Sequence, residues 1–272
     1  LTPQATSLTL QREGKTMANW YDHPEYFDML FRDETAAEVK FFQQAFKRFG
    51  RKKTARLFEP GCGSGRLVVG MAAKGYDVTG LDLSQAMLDY AAKRLKRKGL
   101  KADLVQGDMT KFKFKPKFDA AFCTFNTFRH LMTESDAVAH LTAVAKHLRK
   151  GGLYILGFHI IPPDASDTCT EKWKAKSGGT KLNATLKVLS FDRKNRAEQL
   201  RIRMTAAKKS GKVEKIESHF QLRVYTAKQV KQLFAQVPDL EIAEIYDFDY
   251  DIDEPRDFDK DLTDAIFILR KR

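Results

Sequence analysis

Three glycines at alternate positions, in Glu59-Pro60-Gly61-Cys62-Gly63-Ser64-Gly65, separate a β-rich run at 55–59 from a stretch of helical apolar spacing at 66–74. Glycine reaches positive φ without steric cost, so such a loop turns a strand sharply into a helix. The backbone N–H groups of the turn and of the helix start then face a ligand at the carboxyl edge of a sheet. A dinucleotide loop would need glycine at 61, 63 and 66, but position 66 is Arg and the third glycine falls at 65. Glu59, at the strand tip, repels a pyrophosphate and favours a cationic ligand.

The remaining pattern supports this setting. From Lys40 onward, short β-rich runs at 55–59, 77–81, 103–106, 119–123 and 153–158 alternate with helical stretches at 66–74, 84–97 and 135–149. This predicts βαβ units and a mainly parallel, doubly wound sheet. Ser84 and Ser135 are expected N-caps, and Gly75, Gly99 and Gly151 are expected breakers after the helices. Beyond residue 158 three alternating segments, 182–191, 199–205 and 215–225, predict an antiparallel meander. Thr226 then caps a helix running to about 236, and β-rich runs at 240–248 and 264–269 follow.

The chain is 43% hydrophobic and 31% charged and holds no uncharged apolar run of membrane-spanning length. The expectation is a soluble, cytoplasmic protein, monomeric or homodimeric, with no membrane contact. Its three cysteines, Cys62, Cys123 and Cys169, are too scattered for a disulfide framework or a metal cluster, so no metal is expected. Residues 1–16 lack signal-peptide or transit-peptide character, and Met17 could be a start. Of the net charge of +13, residues 171–215 carry fourteen Lys or Arg against four Asp or Glu.

Together these features resemble the class I S-adenosylmethionine-dependent methyltransferases, and within them the small-molecule enzymes. Their first motif is an acidic residue followed by Gly-x-Gly-x-Gly, here Glu59 and Gly61, Cys62, Gly63 and Gly65. The match covers roughly residues 40–160 and the last two strands. It implies an α/β, Rossmann-like sheet of seven mostly parallel strands in the order 3-2-1-4-5-7-6, with a small antiparallel β insertion between strands five and six. The cofactor implied is S-adenosyl-L-methionine, with S-adenosyl-L-homocysteine as product. Asp82 would accept both ribose hydroxyls, Leu83 and Met87 would pack around the adenosine, and Asp108 and Met109 would clamp the adenine. Phe125 and Asn126, after the fourth strand, would line the junction of donor and acceptor.

The methyl acceptor is expected to be a small molecule bound through nitrogen or oxygen. Candidates for acid–base work are His130, His159 and Tyr21, since a nearby His or Tyr assists deprotonation of the acceptor. The aromatic stretch 20–28 resembles the leader that folds over the pocket in such enzymes, making Tyr26 a substrate contact, and Arg223 resembles a residue facing the substrate. Organisation is expected as a lid arm (1–39), a cofactor-binding core (40–160), a basic insertion covering the substrate (161–225) and a C-terminal part of the core sheet (226–272). Two alternatives stand beside this. One is an RNA methyltransferase using the basic insertion, although that segment lacks a stacked-aromatic platform. The other is a cofactor-binding partner protein without turnover.

Overall fold

Strands buried on both faces need helices on both sides, and the sequence supplies them in alternation. The structure is a computed structural model and describes residues 19–272 except residue 116; the expectations about Met17 and residues 1–16 lie outside the described residues. After a 3-10 turn at Trp20–Asp22 come α1 (Pro24–Phe31), α2 (Thr35–Phe49), β1 (Arg56–Pro60), α3 (Arg66–Ala72) and β2 (Asp77–Asp82). Then follow α4 (Gln85–Arg97), β3 (Asp103–Gln106), β4 (Phe118–Cys123), α5 (Glu134–His147) and β5 (Leu148–His159). The second half holds β6 (Thr170–Ser177), β7 (Thr180–Asp192), β8 (Ala197–Lys208), β9 (Val213–Arg223), α6 (Ala227–Ala235), β10 (Leu240–Tyr246) and β11 (Asp264–Lys271).

Seven strands form one sheet in the order β3-β2-β1-β4-β5-β11-β10, which is the expected 3-2-1-4-5-7-6. The pairs from β3 to β5 are parallel, and β11 runs antiparallel to both β5 and β10. All six residues of β4 are buried, as a central parallel strand requires. One core lies against α5 and α6, built on Phe58, Phe118, Tyr154 and Phe267. The other lies against α2, α3 and α4, built on Phe42, Leu67, Phe122 and Ile268. Among the described residues no helix is long and apolar enough to cross a membrane.

The insertion corrects the expected strand count. It is a separate four-stranded antiparallel sheet, β6-β7-β8-β9, not a three-stranded meander. The extra strand, β6, carries Lys172, Lys174 and Lys176 on one face and, on the other, just two apolar residues, Trp173 and Ala175, between Glu171 and Ser177, so it offers too little apolar alternation to be seen. It sits at the sheet edge, where a lysine-rich strand belongs. The opposite face of the sheet packs Leu182, Ile202, Met204 and Ile216 onto Trp20, Tyr26, Met29 and Phe31, so the N-terminal arm and the insertion share one apolar core.

Two boundary expectations also change. The N-cap of α5 is Thr133, whose hydroxyl accepts the Asp136 N–H at 3.0 Å, and not Ser135. Gly151, at φ 74°, lies inside β5 and does not end α5, which gives way directly to Leu148. Ser84 and Thr226 cap α4 and α6 as expected, and Thr226 with Gln229 completes a capping box.

Candidate functional site

The turn between β1 and α3 is shaped by contacts that only glycine permits. Gly61, Gly63 and Gly65 all have positive φ. A Cβ on Gly61 would stand 2.3 Å from Thr127 Cγ2, and one on Gly65 would stand 2.5 Å from Ala91 Cβ. Gly63 is different: its nearest neighbour is Phe27 Cε1 at 4.0 Å, so space remains between the loop and the arm. The loop is tied to β2, because the N–H groups of Gly61 and Cys62 donate to the Leu81 carbonyl at 2.7 and 3.0 Å. Cys62 itself is buried beneath Gly80, and burial holds its thiol well above the usual range.

Two carboxylates end the neighbouring strands. Asp82 accepts the Gly63 N–H at 2.7 Å and the Ser84 N–H at 2.8 Å, leaving lone pairs for further donors. Burial raises its pKa despite those bonds. Glu59 is buried with one carboxylate oxygen unpartnered. Burial pushes its pKa well up, and nearby Glu38 and Asp82 add to this while Arg66 opposes it. A buried acceptor without a donor is costly, so this edge gains from a cationic or hydroxyl-bearing ligand.

The other predicted cofactor contacts divide. Leu83 stands 70% exposed beside Asp82, whereas Met87 is 1% exposed and belongs to the core. Met87 therefore presents little surface beside Asp82. Asp108 forms a turn in which one oxygen accepts the Thr110 N–H at 2.8 Å and its hydroxyl at 2.7 Å. Met109 reaches toward Gly61, its sulfur 3.9 Å from where a Cβ would sit.

Arg66, at the position where a dinucleotide loop would have glycine, is buried in an ion pair with Glu38 of α2. Its guanidinium lies 5.0 Å from the centre of the Phe125 ring, and Glu38 also accepts the Thr124 hydroxyl at 2.9 Å. Phe125 and Asn126 both hold positive φ, 63° and 65°, a strain of order 1–3 kcal/mol each. Asn126 Oδ1 holds the turn by accepting the His159 backbone N–H at 2.9 Å and an Arg129 N–H at 3.3 Å.

Each candidate histidine has a partner. His130 Nε2 lies 2.8 Å from the Tyr21 hydroxyl. Crowding by protein, with Arg129 adjacent, pushes His130 down to about 4, and burial raises Tyr21 above its usual value, so both are neutral near pH 7. His159 directs Nδ1 to Asp264 at the start of β11, and this bond holds the Asp264 carboxyl below its usual range. With Nδ1–H donating to a carboxylate, Nε2 becomes the proton acceptor.

Two predicted substrate contacts are occupied otherwise. Tyr26 is buried with its hydroxyl on Glu214 of β9, fastening the arm to the insertion. Arg223 is buried on the Met132 carbonyl and on Glu134, 2.9 Å away, and so does not stand free toward a substrate. The sequence also hid Arg129, fully buried, which pairs with Glu198 of β8 and donates Nε–H to the Arg223 carbonyl at 2.8 Å. It hid the clamp between arm and loop as well, where Arg94 pairs with Asp28 and reaches the Ser64 carbonyl at 3.4 Å. Partners so distant in the chain leave no local signal.

The model of a methyltransferase domain family matches residues 58–152, from β1 to the start of β5. A structure of an S-adenosylmethionine-dependent methyltransferase from Clostridium acetobutylicum superposes with a TM-score of 0.75 at 16% identity, covering 93% of this chain and 98% of that one. Residues 58–152 are thus similar to a methyltransferase domain family, and the fold is the Rossmann-like one of the S-adenosylmethionine-dependent methyltransferases. The sugar N-methyltransferase KedS8 from Streptoalloteichus sp. superposes with a TM-score of 0.72 at 18% identity over 100% of this chain and 99% of its own. At these identities the likeness is one of fold. The dTDP-3-amino-3,4,6-trideoxy-alpha-D-glucopyranose N,N-dimethyltransferase of Streptomyces venezuelae is 30% identical over 138 residues, 50% of this chain and 56% of that protein. The chain spans a little over half the length of the first curated relatives it matches.

Proposed function

We propose that the chain transfers the methyl group of S-adenosylmethionine to a nitrogen or oxygen of a small molecule. The observation that carries this reading is the meeting of the unpartnered Glu59 oxygen, the Asp82 carboxylate and the open face of Gly63 at one sheet edge beneath an aromatic arm. These residues suit a ligand that is cationic at one end and bears a diol. Glu59 and the loop N–H groups would hold the cationic part, Asp82 the ribose, and Leu83, Asp108 and Met109 the adenosine.

The cofactor supplies an electrophilic methyl group, so the protein's task is chiefly alignment and exclusion of water. Phe27 and Tyr21 cover the loop side, and the strained turn at Phe125 and Asn126 fixes the acceptor side. The neutral Tyr21–His130 pair offers hydrogen bonds to an acceptor without adding charge near a sulfonium. His159, its tautomer fixed by Asp264, takes the acceptor's proton. Residues 40–160 and 226–272 serve as the cofactor-binding core, while the arm (1–39) and the insertion (161–225) enclose the acceptor. Sugar amine acceptors of the relatives favour a small polar amine.

Labelled S-adenosylmethionine, offered with panels of amines, phenols, carboxylates and RNA, tests the reading. Transfer to a small molecule supports it, and transfer to RNA alone overturns the acceptor class. Calorimetry with S-adenosylhomocysteine tests the cofactor separately: absence of binding would sink the central claim, and binding without transfer to any acceptor would make the chain a non-catalytic partner.

A further inference from the structure

In an antiparallel ladder, residues directly opposite one another share a face. The register of the insertion sheet therefore assigns each side chain to a side. The rows Lys172–Thr185–Arg203–Glu217, Lys174–Asn183–Thr205–Lys215 and Lys176–Lys181–Ala207–Val213 lie on one face. The row Thr170–Lys187–Arg201–His219 lies on the same face. Alternate rows, with Leu182, Ala184, Ile202 and Met204, form the other face, which is covered by the arm. The lysine face thus points away from the arm and from the glycine loop.

Six lysines, at 172, 174, 176, 181, 187 and 215, are exposed there, and among the described residues none lies in an ion pair. The single carboxylate in these rows, Glu217, is already taken by Arg203. By contrast, Lys208 and Lys212 at the sheet's tip are neutralised by Glu214. We propose that this face docks the phosphate backbone of double-stranded nucleic acid, at a site separate from the methyl-transfer cleft.

Three properties select this partner. The residues set among the lysines are chiefly Thr185, Asn183 and Thr205, small polar groups that hydrogen-bond phosphate oxygens, and the exposed Val213 stands by itself at one end of the face, too little apolar surface to wedge into a lipid layer. The face carries no Phe, Tyr or Trp, since Trp173 and Phe220 lie in rows of the opposite side, so single strands gain no stacking platform. Lys172 to Lys176 span about 13 Å along β6, a length of duplex axis over which each strand presents roughly four phosphates. Binding is then electrostatic and indifferent to sequence.

The test measures fluorescence anisotropy of a labelled duplex of about 20 base pairs with the full chain, from about 50 mM salt upward. The proposal expects binding that weakens steeply with salt. The variant K174E/K176E/K181E should bind about 100-fold more weakly, with the slope of log affinity against log salt reduced by about 3. A control variant, K52E/K53E/K98E, makes the same change in net charge at exposed lysines elsewhere and should retain binding. S-adenosylhomocysteine binding and thermal melting should be equal in all three proteins. Three results overturn the proposal: no duplex binding at the lowest salt, equal losses in both variants, or tighter binding to the single strand or to phosphatidylserine vesicles than to the duplex.

Discussion

Arg129→Met gives the sharpest test of how the site is held. Arg129 is 2% exposed, and its guanidinium binds the Glu198 carboxylate, the Arg223 carbonyl and Asn126 Oδ1. Removing it leaves Glu198, 6% exposed, as a buried charge without a partner. Breaking one side of such a pair costs about 3–5 kcal/mol, while replacing both members with apolar groups is close to neutral. Arg129→Met should therefore cost about 3–5 kcal/mol, and Arg129→Met/Glu198→Leu should recover most of it. Urea denaturation of the four proteins in a double-mutant cycle supplies the coupling energy. The double variant also frees the turn bearing Asn126 and His130 from the insertion, so acceptor turnover should fall while S-adenosylhomocysteine affinity holds. A single-variant cost below about 1 kcal/mol, or a double variant equal to the sum of the singles, would refute the idea that this buried pair fastens the insertion to the turn.

Asp82→Ala removes an acceptor at the tip of β2 and should weaken S-adenosylhomocysteine binding by about 1.5–3 kcal/mol, roughly 10- to 100-fold by calorimetry; unchanged affinity would exclude it as a ribose contact. His140 is fully buried and donates Nδ1–H to the Met109 carbonyl at 2.9 Å while Nε2 accepts the Tyr154 hydroxyl, and burial pushes its pKa down to about 4. Its contribution is complete above the unfolded histidine pKa near 6.5 and falls by about 3 kcal/mol as pH drops toward 4, so His140→Gln should flatten that part of the stability profile. Gly65→Ala forces a side chain onto φ 69° and to 2.5 Å from Ala91, which should lower stability by roughly 1–3 kcal/mol in thermal melts. His159→Ala should lower kcat about 100-fold with S-adenosylhomocysteine affinity intact, and equal turnover would remove it as the base.

Much of the fold was legible because local periodicity reports it. The apolar runs of β4 and β5, the caps Ser84 and Thr226 and the glycines at 61, 63 and 65 each state their conformation within a few residues. The lysine-rich β6 was illegible, since an edge strand buries little and so need not alternate clearly. Phe125 gave no sign of its positive φ, because a bulky aromatic rarely adopts it, while Asn126 tolerates that region and is held by the His159 N–H.

By itself the sequence determined the parallel core, the glycine loop and the two acids at successive strand tips, Glu59 and Asp82. Strand order places those tips side by side whenever the βαβ units form, so short-range spacing was enough. The tertiary structure alone decided which polar residues are spent on holding the protein together. Tyr26 and Arg223 are consumed by Glu214 and Glu134, while Tyr21 meets His130 across 109 residues of chain and His159 meets Asp264 across 105. The register of the insertion likewise sorted its lysines onto a single outward face. Such pairings depend on how separate elements pack, and no local pattern in the chain encodes them.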